Sequence, residues 1–132
     1  MKEDPINLIG VVGSLQQQRF LTAVLQNYPL SLEVVTREFW LRSWSEDLDV
    51  HTAEDMTIVA TKAGMEPQQI SHCLQAMKGD EVKTRLKQVT AEAVDRGAFG
   101  APTMFFSEAG EREEMFWGSD RYPLSVSASI FI

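Results

Sequence analysis

The stretch Arg96–Phe106 reads RGAFGAPTMFF, and the stretch Met115–Arg121 reads MFWGSDR. They place a proline directly before a run of β-forming residues, which a turn separates from a second apolar run. Thr103–Phe106 and Glu114–Trp117 therefore predict a β-hairpin. The Gly-Ser-Asp sequence that follows predicts a helix start at Ser119–Asp120, because Ser and Asp are common N-cap residues.

The Ala101–Pro102 bond is the first candidate for a binding site. Only about 5–6% of X-Pro bonds in folded proteins are cis, so an ordinary turn is the default interpretation. The flanking glycines and the Gly-Ser-Asp-Arg motif downstream favour a cis bond here. A cis bond would leave the N–H and C=O of Ala101 free to pair with an extended peptide, as an added strand does. Gly97 and Gly100 would let the loop approach such a ligand closely.

Ser119 and Asp120 are the second candidate. Helix capping alone explains this pair of residues. The same geometry also suits an amino-acid headgroup, because exposed N–H groups and the helix dipole attract a carboxylate. The Asp120 carboxylate can at the same time hold an α-ammonium group. The two interpretations are compatible, so both stay open.

The first two thirds of the chain predict five helices. Their starts are indicated by capping residues or a first-turn proline, and their ends by Pro29, a polar run or glycines. The predicted starts are Ser14, Ser31, Thr52, Pro67 and Asp80. On the second helix, Trp40 and Trp44 are expected to pack against other helices; lining a hydrophobic substrate cavity is the alternative use. On the fifth, Val82, Leu86, Val89 and Ala93 are expected to form the buried face. The chain is thus predicted to be mostly α-helical with a C-terminal β-hairpin.

Composition excludes several classes of function. The 132 residues carry a net charge of −7 without a basic cluster, which argues against a nucleic-acid partner. No apolar run approaches the roughly 20 residues of a membrane span. The single cysteine, Cys73, excludes an intrachain disulfide and is expected to be a small core residue. His51 and His72 have no catalytic or metal-ligand spacing, so no metal site and no role for them are predicted.

Several motifs together resemble the kappa-class glutathione transferases and the related 2-hydroxychromene-2-carboxylate isomerases. Besides the two C-terminal stretches, these motifs are Gly13–Leu15, Arg37–Ser45 (REFWLRSWS) and Lys62–Met65. The resemblance runs from about Gly13 to Arg121. It implies an α/β fold, a thioredoxin-like domain interrupted by an all-helical insertion as in DsbA. Residues 1–96 would be the helical insertion, and residues 97–132 the C-terminal part of the thioredoxin-like domain with the cis-proline loop, the hairpin and a helix start.

The resemblance also implies a function. Family members conjugate glutathione to small electrophiles, can reduce peroxides and work as homodimers; animal forms are found in mitochondria and peroxisomes. By motif, Ala101 and Pro102 would pair with the glutathione backbone, and Ser119 and Asp120 would hold its γ-glutamyl group. Glutathione would be the co-substrate, with no metal. Ala101 stands where family members often carry a larger apolar residue, which a backbone contact tolerates.

The chain departs from the family at both ends. The family's catalytic serine lies in the first strand-to-helix turn, and no matching Ser-Pro-Tyr-type motif occurs here. Ser14 matches a helix start, so no catalytic residue is assigned. After Asp120, Tyr122–Pro123 and a Ser-rich tail replace the closing helix, and the chain is expected to be truncated at both ends. The isomerase activity and a non-catalytic fragment that pairs with full-length subunits stay open as alternatives. The sequence carries no targeting signal, which leaves a cytoplasmic location open as well.

Overall fold

The computed structural model describes residues 14–107 and 113–118. These residues form five α-helices and one antiparallel hairpin, as predicted. The helices are α1 (Leu15–Asn27), α2 (Leu32–Trp40), α3 (Ala53–Lys62), α4 (Pro67–Ala76) and α5 (Asp80–Asp95), and the strands are β1 (Thr103–Phe106) and β2 (Glu114–Trp117). A short 3-10 turn at Pro29–Ser31 joins α1 to α2, and a π-helical turn at Leu41–Ser45 continues α2.

The chain divides into two compact units. The first ends at Gln88 and the second begins at Val89, so the boundary falls inside α5. The division at residues 96 and 97 that the sequence suggested stays a prediction. None of the helices in the described ranges is long and apolar enough to cross a lipid bilayer.

Local sequence signals account for several of the helix ends. Thr52 and Asp55 form the predicted capping box at the start of α3, with the side chain of each bound to the backbone N–H of the other. Gly64, directly after this helix, has a φ of 85° that favours glycine. Pro67 occupies the first turn of α4. Ser14 precedes α1 as predicted, but its side chain makes no capping hydrogen bond.

The first unit has one hydrophobic core, which α1 to α4 and the start of α5 build. The rings of Phe20 and Phe39 meet edge to face with their centroids 6.1 Å apart. Cys73 is fully buried in this core, as predicted. The fully buried large side chains are Phe20, Met56, Val24, Val35, Val50, Val59 and Cys73. Burial of these side chains is the main stabilising contribution to the helical unit.

The outer face of α2 corrects one expectation. Trp40 and Trp44 do not pack against other helices: 62% and 66% of their surfaces are exposed. The reason is the helical period. Val35, Phe39 and Arg42 follow one another at spacings of four and three residues, so they share one stripe. This stripe faces the core, and the two tryptophans lie outside it.

The buried face of α5 is shorter than predicted. Val82 is buried, whereas 44% of Val89 is exposed and Leu86 and Ala93 are only half-buried. The apolar period continues along the helix, but the core of the first unit reaches only its first turn.

In the second unit, the two strands pair in a regular antiparallel register. Thr103 lies opposite Trp117, and Phe106 lies opposite Glu114. The rings of Phe106 and Phe116 stack edge to face, 5.8 Å apart. This register matters for the candidate site, because it brings the end of β2 next to Pro102.

Candidate functional site

The candidate site begins where α5 ends. Gly97 has a φ of 91°, a conformation that glycine adopts without a steric cost. Its N–H donates to the carbonyl of Val94, and the N–H of Ala98 donates to the carbonyl of Ala93, both at 2.9 Å. These bonds end the helix on a glycine and turn the chain into the loop that leads to Pro102.

The Ala101–Pro102 peptide bond is cis, as predicted. Two hydrogen bonds hold its neighbours: Thr103 Oγ1 donates to the Gly100 carbonyl at 2.6 Å, and the Gly118 N–H donates to the Pro102 carbonyl at 3.0 Å. Ala101 and Pro102 are both exposed. Among the residues that the structure describes, none forms a hydrogen bond with the backbone N–H or C=O of Ala101. The loop thus offers one backbone edge on which an extended ligand could pair.

Two aromatic side chains flank this edge. The ring of Phe99 lies 5.3 Å from that of Trp117, centroid to centroid, with the planes tilted by 36°. Gly100 makes room for the indole, since a Cβ on this residue would lie 2.5 Å from Trp117 Nε1. Even so, 71% of Phe99 and 48% of Trp117 are exposed. This pair was not predicted, because the local sequence pattern does not show which aromatic side chains of a loop and a strand meet or stay exposed.

Arg96 fixes the base of the loop. Its guanidinium carbon lies 4.3 Å from the centroid of the Phe105 ring. Its Nε donates to Glu113 Oε1 at 3.1 Å, and its Nη2 also donates to the second oxygen of that carboxylate, which makes the pair bidentate. The hydrogen bond with Glu113 raises the pKa of Arg96, and the same bond lowers the pKa of the Glu113 carboxyl. Arg96 and Glu113 are seventeen positions apart, so no local pattern in the sequence predicted this pair.

The structure describes two of the four predicted site residues. Ala101 and Pro102 lie on the exposed loop described above, whereas Ser119 and Asp120 lie outside the described residues. Gly118, the neighbour of Ser119 in sequence, is hydrogen-bonded to Pro102. In residues 14–107 and 113–118, no group of three or more His, Cys, Asp or Glu side chains is placed to hold a metal ion.

The other candidates do not form a site. Burial raises the pKa of the Cys73 thiol to about 11, so this side chain is a poor nucleophile. The Nδ1 atom of His72 lies 3.0 Å from the hydroxyl of Tyr28, at the surface of the helical unit. The backbone N–H of His51 donates to Asp55 and belongs to the start of α3.

Comparison with known proteins supports the predicted fold. The family model for the DSBA-like thioredoxin domain matches residues 4–128. Glutathione S-transferase kappa 1 of Rattus norvegicus is 40% identical over 112 residues, which cover 85% of this chain and 49% of that protein. Glutathione S-transferase kappa 1 of Homo sapiens is 39% identical over 122 residues, 92% of this chain and 54% of that protein.

A more distant relative has the same class name. Glutathione s-transferase kappa 2 of Caenorhabditis elegans is 27% identical over 124 residues. The chain spans about half the length of the relatives it matches. These matches confirm the resemblance to kappa-class glutathione transferases. With most of its length matched by one family model, the chain belongs to the DSBA-like thioredoxin domain family.

Proposed function

We propose that this chain carries part of the glutathione site of a kappa-type glutathione transferase, which conjugates glutathione to small electrophiles and can also reduce peroxides. One observation carries the proposal. In a chain about 40% identical to proteins named glutathione S-transferase kappa 1, the Ala101 backbone is exposed at the end of a hairpin and open to a peptide ligand. Glutathione is such a peptide, with amide groups that can pair along this edge.

The second half of the proposed site is the Ser119–Asp120 pair. Its predecessor in sequence, Gly118, donates its N–H to the Pro102 carbonyl at 3.0 Å. Gly118 thus lies beside the exposed loop, and Ser119 and Asp120 follow it directly in the sequence. In the proposal, Ser119 and Asp120 hold the two charges of the γ-glutamyl headgroup, while Ala101 pairs with the peptide backbone.

Titration calorimetry with glutathione tests this assignment. Losing one charge-assisted contact costs about 1.5–3 kcal/mol, so we expect Asp120→Ala to weaken glutathione binding more than tenfold. Glu114→Ala removes one charge from an exposed strand residue in the same unit, and it should leave the affinity unchanged. If Asp120 were only a helix cap, Asp120→Ala would lower stability by ~1 kcal/mol and leave the affinity as it is. That outcome would overturn the assignment.

A rate measurement separates binding from catalysis. The 132 residues contain no Ser-Pro-Tyr-type motif, and no catalytic residue is assigned. Without an activating hydroxyl, a bound thiol keeps a pKa near ~8.5 and is only a few per cent thiolate at neutral pH. We therefore expect the 132-residue chain to bind glutathione without accelerating its reaction with 1-chloro-2,4-dinitrobenzene. A saturable rate proportional to protein concentration would contradict this expectation.

Two further parts of the proposal rest on the resemblance alone. They are a homodimeric assembly and a mitochondrial or peroxisomal location. Sedimentation equilibrium tests the first, and fractionation of cells that produce the protein tests the second. The isomerase alternative would be supported if the protein interconverted 2-hydroxychromene-2-carboxylate and its ring-opened form in a glutathione-dependent manner.

A further inference from the structure

The loop of residues 97–102 carries the exposed backbone edge of Ala101, and it has no regular structure of its own. None of its six residues belongs to a helix or a strand, and two of them, Gly97 and Gly100, are glycines. Glycine loses more backbone freedom on ordering than any other residue. A peptide that pairs with Ala101 therefore binds more tightly if the loop is already ordered in the free protein.

The side chain of Arg96 joins three parts of the second unit around this loop. Its Nη1 donates to Glu92 Oε1 on α5 at 3.3 Å, and its guanidinium carbon lies 4.3 Å from the ring centroid of Phe105 on β1. Its Nε and Nη2 donate to the two carboxylate oxygens of Glu113, which directly precedes β2. We call Arg96 together with these three partners the arginine clamp.

The arginine clamp connects the two ends of the loop. Arg96 directly precedes the first loop residue, and Phe105 lies three positions after the last one. The contact between these two side chains limits the distance between the loop ends, and a segment with fixed ends has fewer conformations. The backbone of Ala101 lies inside this closed segment, and it forms no hydrogen bond with the described residues. The clamp thus acts on the loop and leaves the edge at Ala101 open.

The geometry of the clamp limits the size of its effect. The side chains of Arg96 and Glu113 are 38% and 37% exposed, so water partly screens their charges. Exposed ion pairs contribute little unless they are bidentate or part of a network, and this pair is both. The position of Arg96 over the Phe105 ring adds a cation–π attraction. An effect of about fivefold on the ordered population of the loop follows, rather than a hundredfold one.

We propose that Arg96 and Glu113 are positioning residues for peptide binding at Ala101. The arginine clamp orders residues 97–102 in the free protein, and this order strengthens the pairing of glutathione with the Ala101 backbone. The inference rests on the proposed function and adds to it two residues that act through the loop. Without the clamp, the ligand itself must order the loop, so binding should weaken mainly through a less favourable entropy.

Titration calorimetry of the full 132-residue chain with glutathione tests this role. We expect Arg96→Gln to weaken binding about fivefold and Glu113→Gln about threefold. Arg96→Lys keeps the charge but not the bidentate geometry, so it should restore part of the affinity. The two Gln substitutions together should cost no more than Arg96→Gln alone, because they remove the same interaction. Glu114→Gln makes the same charge change at the next, exposed residue and should leave the affinity unchanged.

Tryptophan fluorescence reports on the loop without any ligand. The indole of Trp117 occupies the space beside Gly100, since a Cβ on Gly100 would lie 2.5 Å from its Nε1. Trp40→Phe combined with Trp44→Phe leaves Trp117 as the only tryptophan. In this background, Arg96→Gln should shift the emission maximum of the free protein to longer wavelength. Saturating glutathione should remove most of the difference, because the bound ligand orders the loop.

Two results would overturn the inference while the proposed function stands. The first is wild-type glutathione affinity in Arg96→Gln and Glu113→Gln, even if both variants are less stable to guanidinium, since a merely structural role has that outcome. The second is an equal loss of affinity in Glu113→Gln and Glu114→Gln. If Arg96→Gln does not fold, Glu113→Gln decides by the same criteria, because it leaves α5 unchanged.

Failure of the proposed function gives a different pattern. If the wild-type protein does not bind glutathione, the glutathione assignment is wrong, and the emission of Trp117 decides whether the clamp orders the loop. A shift in Arg96→Gln that is absent in Glu114→Gln would support the clamp. An unchanged emission maximum in Arg96→Gln would overturn it.

Discussion

Arg42, on the π-helical turn after α2, and Asp55, in the first turn of α3, form a buried ion pair. Arg42 Nη2 lies 2.8 Å from Asp55 Oδ1, and the two side chains are only 11% and 12% exposed. The second carboxylate oxygen accepts hydrogen bonds from the Thr52 backbone N–H at 3.0 Å and from its hydroxyl at 2.8 Å. Arg42 Nε also donates to the Asp49 carbonyl at 2.6 Å. One carboxylate thus ties the end of the π-helical turn to the start of α3.

The first prediction concerns the stability of this link. Removing one partner of a buried pair leaves the other charge uncompensated, which costs about 3–5 kcal/mol. Asp55→Asn keeps a hydrogen-bond acceptor, so we expect a cost at the lower end of this range. The free energy of unfolding should fall by roughly 3 kcal/mol. The control is Glu46→Gln, whose exposed pair with Lys62 at 3.0 Å should contribute under about 1 kcal/mol. Guanidinium titration measures both variants, and equal stabilities for them would contradict the prediction.

The same pair predicts an acid dependence. Burial by itself would raise the pKa of Asp55, but the hydrogen bonds from Thr52 and the interaction with Arg42 outweigh it and lower that pKa. A depressed folded-state pKa contributes stability above the unfolded value of about 3.9, and this stability is lost as the pH falls through the folded-state value. The difference between the wild type and Asp55→Asn should therefore be constant from pH 7 to about 5 and narrow below about pH 4. Unfolding curves from pH 7 down to about pH 2.5 test this, and a difference that grows as the pH falls would refute it.

Cys73 gives a prediction about reactivity. This thiol is fully buried, and burial raises its pKa to about 11. At pH 7 about one thiol in ten thousand is then ionised, and the thiolate is the reactive form. We expect the native protein to resist 5,5′-dithiobis(2-nitrobenzoate) and one thiol per chain to react once guanidinium unfolds it. Rapid reaction of the native protein would show that the core around this residue opens under native conditions.

Which parts of the fold were predictable depends on how local their causes are. The hairpin strands match the prediction residue for residue. All the signals that determine them, the β-forming residues and the turn between them, lie within fifteen consecutive positions. The capping box of Thr52 and Asp55 was likewise visible at a spacing of three. The ion pair of Asp55 with Arg42 was not predictable, because it joins residues that are thirteen positions apart across an irregular loop.

The candidate site shows the same division. The proline alone predicts an ordinary turn, but the glycines around it and the Gly-Ser-Asp-Arg motif downstream indicated Ala101 and Pro102 as an exposed edge. The contact between Phe99 and Trp117 was not predictable, because the loop before β1 and the end of β2 come together only in the folded hairpin. The expectation that Trp40 and Trp44 pack against other helices was wrong for a related reason. Arg42, not a tryptophan, continues the buried stripe of α2.

Gly100 allows a direct test of how the Trp117 side chain is held. A Cβ at this position would lie 2.5 Å from Trp117 Nε1, which is too close for an ordinary contact. The nearest atoms belong to a half-exposed side chain that can swing outward. We therefore expect Gly100→Ala to change stability by less than about 1 kcal/mol while it displaces the indole into solvent. With the other two tryptophans replaced (Trp40→Phe and Trp44→Phe), the emission maximum of Trp117 should shift to longer wavelength. Gly79→Ala is the control, because a Cβ there would lie 3.2 Å from the Ala76 carbonyl oxygen and within 4 Å of no tryptophan side chain.

The last prediction concerns the hairpin. Among the described residues, the sheet contains only β1 and β2; the four residues of β1 are half-buried and three of the four in β2 are exposed. A two-stranded hairpin is marginal in water, and its uncovered edges can pair with another chain. The amides of Thr103–Phe106 should thus exchange through local opening of the hairpin. The free energy of this opening should be at least about 2 kcal/mol lower than that of the core helices α1 and α3.

Hydrogen exchange followed by NMR measures both regions in one sample, with the buried residues Phe20 and Val59 reporting on the helical core. Uniform protection across hairpin and helices in a monodisperse monomer would contradict the prediction. It would show that residues outside the described ranges cover the sheet. Protection of Thr103–Phe106 that increases with protein concentration would show that the strand edge pairs between copies, as an uncovered edge is expected to do.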